Sequence, residues 1–108
     1  MPRRRHSSAG EPNRALDVAL AHNDLPMTMA AARDLPSVGL DRAAQILVLM
    51  SKERSPLYRK AAARWLSRYA AEVQGATPTR LSEVADALAE LEHADVAAAQ
   101  RLLAAVRT

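Results

Sequence analysis

The sequence predicts an all-α fold of about six short helices. Three observations carry that prediction. Alanine occupies 24 of the 108 positions while glycine takes three and phenylalanine none, a composition suited to closely packed helices. No run alternates apolar and polar residues over the length of a strand. Capping residues, several followed by proline, recur ahead of segments whose apolar side chains return every three or four positions.

Residues 1–12 are polar and read as a disordered basic arm ahead of a single helical domain over 13–108. A first helix is expected over about 13–22, with Asn13 as N-cap and Leu16, Ala19 and Leu20 inward. Asp24 caps a second over Leu25–Asp34, which has Pro26 in its first turn and a stripe of Leu25, Met29 and Ala32. A third spans Leu40–Ser51. Ile46, Val48 and Leu49 make it apolar nearly all round, so it should be the most buried. Lys52-Glu53-Arg54 forms a polar turn. Ser55 then caps a fourth helix, with Pro56 in its first position, that ends ahead of Gly75 as a left-handed C′ residue.

That fourth helix holds every aromatic residue of the chain. At about 100° per residue, Tyr58, Trp65 and Tyr69 fall within about 40° of arc, with Lys60, Arg64 and Arg68 opposite. Thr77 caps a fifth helix over Pro78–Glu92, with Leu81, Val84, Ala85, Leu88 and Leu91 inward. Asp95 caps a sixth over Val96–Arg107, striped by Val96, Ala99, Leu102, Leu103 and Val106. The short connections make three αα-hairpins. The segment LAHNDL at 20–25 is echoed by LEHADV at 91–96, through duplication or through the same helix-ending physics twice. Both an irregular bundle and a short HEAT-like array satisfy this order of elements.

The net charge of +3 is confined to residues 1–14, where Arg3, Arg4, Arg5 and Arg14 face Glu11. Residues 15–108 carry eleven basic and eleven acidic side chains, so the domain itself is neutral. The lack of cysteine excludes disulfides and thiolate metal sites and favours a cytoplasmic home. The longest aliphatic run, Ile46–Met50, falls far short of the roughly 20 residues that span a bilayer. The basic N-terminus has no apolar segment behind it and does not read as a signal peptide.

Motifs for chemistry are absent. The chain has no HExxH, no GxSxG and no glycine-rich phosphate loop. His22 and His93 stand at helix ends, with a shared site including Asp24 and Asp95 as the alternative to a purely local role. Ser37 and Ser55 read as caps. No carboxylate lies in an apolar stripe where burial would tune it for proton transfer. No catalytic, cofactor or metal residue is therefore assigned, and the chain reads as non-enzymatic.

Two charged stretches remain. Residues 52–68 carry Lys52, Arg54, Arg59, Lys60, Arg64 and Arg68 against Glu53, whereas residues 79–95 carry five acidic side chains against Arg80. The outward candidates for partner or phosphate contact are Arg3, Arg4, Arg5, Arg59, Lys60, Arg64 and Arg68. They fit a protein–protein interaction domain, an adaptor or regulatory subunit with a protein partner or a second copy. They also fit a nucleic-acid-associated accessory protein, with the third and fourth helices as a helix-turn-helix and the arm as an anchor. Against that second reading, the rings face inward and no Asn or Gln accompanies Arg64 and Arg68 to read adenine.

The stretch SPLYRKAAARWLSRY at 55–69 resembles one shared by small Ala- and Arg-rich helical proteins of actinobacteria. It carries Tyr58, the pair Ala62-Ala63 and the run Arg64-Trp65-Leu66-Ser67-Arg68. The likeness extends loosely to the Leu-rich third helix and to the hairpin that follows. It implies an all-helical bacterial cytoplasmic protein and brings no activity or site residue with it.

Overall fold

A computed structural model describes residues 13–93 and 95–107. Among them every regular element is a helix. In order these are α1 over 13–21, α2 Leu25–Arg33, α3 Leu40–Lys52, α4 Tyr58–Glu72, α5 Pro78–Leu91 and α6 Val96–Arg107. The arm, with Arg3, Arg4 and Arg5, lies outside the described residues. The chain divides after Val38 into two compact units.

The first unit is the hairpin of α1 and α2. Leu16 and Ala19 are fully buried on α1. The turn between the helices is a Schellman closure. Asn23 takes the left-handed conformation at φ 54°, its N–H bonds Leu20 O, and the next N–H, of Asp24, reaches back to Ala19 O. Asp24 then caps α2 by accepting from the Met27 N–H at 3.0 Å. The stripe of α2 has a polar centre that hydropathy does not signal: Thr28 is fully buried, while Leu25, Met29 and Ala32 beside it are half-buried.

In the second unit α3 packs on α4 and α6, and α5 packs on α4 and α6. The first and last helices of this series meet, so the four close into a ring, which is the packing of a bundle. The core joins Ala44, Leu47 and Met50 of α3 to Trp65 and Tyr69 of α4, Val84, Leu88 and Leu91 of α5, and Ala98 and Leu102 of α6. The Trp65 and Tyr69 rings stack, with centroids 5.3 Å apart. Two buried polar groups tie α4 to its neighbours. Trp65 Nε1 donates to Leu40 O at 3.0 Å, and Tyr58 Oη donates to Leu88 O at 2.7 Å. Leu88 lies in the last turn of α5, where carbonyls lack helical partners, so the tyrosine closes a helix end as well as a core.

Several local expectations are corrected. Asn13 is already helical, so it is not the cap of α1. The serines do not cap helices: α3 begins behind Gly39, and α4 begins at Tyr58 behind Leu57, neither with a side-chain cap bond. Ser55 instead shapes a turn, its Oγ accepting from the Leu57 N–H and its carbonyl from the Tyr58 N–H. That turn consumes the donors a longer helix would have used. Gly75 is left-handed at φ 79°, but α4 ends three residues earlier, because Val73 leaves the helix with extended backbone. On α5 the buried alanine is Ala87 and not Ala85, giving the spacing 84, 87, 88, 91. On α6 the buried face centres on Ala98 and Leu102, which turns Val96 out to solvent at 71% exposure.

A candidate interaction site at one end of the bundle

The connection 53–57 and residues 92–93 behind α5 meet at one end of the second unit. Arg59, in the first turn of α4, donates through Nε to Glu92, which follows α5. Tyr58 beside it holds Leu88 O. Between the two segments lies a cleft of about 630 Å³. Met50, Ser51 and Tyr58 of the buried core face it, and Arg54, Arg59, Glu92 and His93 bring charge to it. Ser51 Oγ is spent on Val48 O at 2.8 Å. Burial, and then Glu92, push the Tyr58 hydroxyl up to about 12, so it stays a donor through the physiological range.

Two large exposed apolar side chains flank these segments: Leu57 just ahead of α4, and Val96 at the start of α6. Leu57 is 59% exposed and Val96, next to the Asp95 cap, is 71% exposed. The stripe predicted for the sixth helix places Val96 inward and no stripe includes Leu57, yet Leu57 leaves a trace. It sits about 100° before Tyr58 on the helical wheel, among Arg64 and Arg68, where an apolar residue has no core to face. Comparison with family models, with curated proteins and with solved structures finds no match.

The predicted basic face is thinner than its sequence. Arg59 pairs with Glu92, and Arg68 pairs with Glu72 one turn on at 2.9 Å. Lys60 and Arg64 are exposed and make no ion pair among the described residues. Trp65 and Tyr69 lie on the opposite face at 3% and 0% exposure, out of reach of any base. The acidic stretch is met from within as well. Arg101 of α6 binds Glu90, and Arg80 lies 3.8 Å from Glu83. The hydrogen bond to Glu90 pushes the Arg101 guanidinium further up. These residues line a groove of about 480 Å³ floored by Ala87, Ala104 and Ala105. Among the described residues no cluster of three His, Asp or Glu side chains is arranged to hold a metal ion, and His22 gives Nδ1 to a bond with Val18 O at 2.8 Å. No described helix is long and apolar enough to cross a membrane.

Proposed function

We propose that this chain is a non-enzymatic protein-interaction module, an adaptor or regulatory domain of the bacterial cytoplasm, whose docking surface is the end of the bundle around Leu57 and Val96. One observation supports the reading: Leu57, which ends one connection, and Val96, which opens α6 after the other, are 59% and 71% exposed. A partner that covers both removes apolar area from water, about 25 cal/mol per Å². The mixed charges of Arg54, Arg59 and Glu92 at the cleft suit the polar rim of an interface, which sets orientation more than affinity. The absence of cysteine supports the compartment.

The test is affinity capture with the whole chain and with a Leu57→Asp/Val96→Asp double variant. Both sites are solvent-facing, so the variant should keep its helical circular dichroism. Wild type is expected to retain a stoichiometric partner, or a second copy of itself, that the variant loses at least tenfold. Equal retention by the variant would move the interaction away from this end and sink the assignment.

A further inference from the structure

Among the described residues three take left-handed backbone: Asn23, Arg54 and Gly75. Asparagine and glycine tolerate that conformation, and arginine does so at an energetic cost. Arg54 closes α3 in the same pattern by which Asn23 closes α1. Its N–H bonds Ser51 O, and the next N–H, of Ser55, reaches back to Met50 O. This backbone geometry favours glycine, so the helix end itself does not account for a guanidinium at position 54. Backbone strain kept at a cleft points to use of the side chain.

What that side chain meets defines the use. Arg54 makes no side-chain hydrogen bond or ion pair among the described residues, and it lines the end cleft with Ser55, Arg59 and His93. Arg59 gives its Nε–H to Glu92, which holds the guanidinium in place and leaves its two terminal nitrogens unused. Ser55 Oγ accepts from the Leu57 N–H, so its own O–H is free to donate. Among the described residues the one carboxylate lining the cleft, Glu92, is already paired with Arg59. Unspent donors on two planar cations are the chemistry that recognises a tetrahedral oxyanion.

We infer that the end cleft takes a phosphate monoester carried by the protein partner, held by Arg54 and Arg59 with Ser55 donating to a third oxygen. The partner rests on the interaction reading above; the anion site stands on its own residues.

The experiment is a phosphate titration of the whole chain at constant ionic strength, followed through the backbone amides of 53–60 and the arginine Nε–H signals. Saturable shifts at Arg54 and Arg59 are expected. Arg54→Gly should lose at least tenfold in phosphate affinity while its melting temperature rises, because glycine suits the left-handed position. That pairing separates loss of binding from loss of fold. Shifts that stay linear with phosphate, or an Arg54→Gly chain that binds phosphate as wild type does, overturn the site. A phosphoserine peptide that binds where its serine counterpart does not supports a partner-borne ester. Binding of inorganic phosphate alone overturns that source. Capture that needs Leu57 and Val96 but ignores phosphate and Arg54→Gly rejects the anion site and leaves the interaction reading standing. Saturable phosphate binding in a chain that captures nothing does the reverse.

Discussion

Tyr69 is fully buried against Trp65, and its hydroxyl has no hydrogen-bond partner. A buried donor left unpaired costs roughly 1–3 kcal/mol. Tyr69→Phe removes the orphan and keeps the stack, so it should stabilise the chain by about 1 kcal/mol, read as a higher urea midpoint at unchanged slope. A destabilised variant would show that the hydroxyl is satisfied. Tyr58 makes the opposite case, since its Oη is used. Its folded pKa, about 12, stands above the ordinary value of 10.0. The neutral hydroxyl is the form the fold prefers. Its contribution is therefore complete below pH 10 and is lost as pH rises from 10 towards 12, by on the order of 2 kcal/mol. Alkaline unfolding curves should show that loss in wild type and a smaller one in Tyr58→Phe; identical curves would exclude the linkage. Neither role is legible in the sequence, where the two tyrosines share one arc of one helix.

At the scale of the helices, the starts marked by Asp or Thr are the legible ones. Asp24, Thr77 and Asp95 each accept from backbone N–H groups two or three residues on, as a capping side chain must. Thr77→Ala should cost about 1 kcal/mol in thermal or denaturant unfolding, because the Arg80 N–H loses its acceptor. Ser55→Ala should cost clearly less, because Ser55 lies outside α4 and its carbonyl still holds the Tyr58 N–H. Equal costs would return Ser55 to the role of a helix cap. Faces were missed where apolar residues exceed what one stripe can bury. Alanine is small enough to lie on either side of α5, so Ala85 and Ala87 compete, and packing against α4 and α6 chooses Ala87. Val96 stands on the wrong side of the Ala98–Leu102 pair, a fact only the seating of α6 reveals.

At the scale of the molecule, charge pairing reshapes the functional reading. The stretch 52–68 looks like a phosphate-binding face on paper. In the folded chain Arg68 pairs with Glu72, and Arg54 and Arg59 face the end cleft, leaving Lys60 and Arg64 as the unpaired cations of α4's outward face. Two phosphate contacts from that face give a log–log salt slope near −2, against roughly −5 for the full stretch. Duplex-DNA binding should accordingly be weak and shallow in salt, and insensitive to Leu57→Ala. A steep slope that flattens in Lys60→Ala/Arg64→Ala would favour a nucleic-acid role over the interaction module.

The sequence by itself determined an all-helical chain, the start of each hairpin's second helix to within two residues, and the inward face of α4. Those are local matters, settled by alanine content, capping chemistry and a 3.6-residue period. Only the tertiary structure decided the closed ring of four helices, the exposure of Leu57 and Val96, and the cleft that Arg54 lines. Each depends on groups far apart along the chain, such as Arg59 and Glu92, separated by 33 positions, whose meeting no local rule encodes.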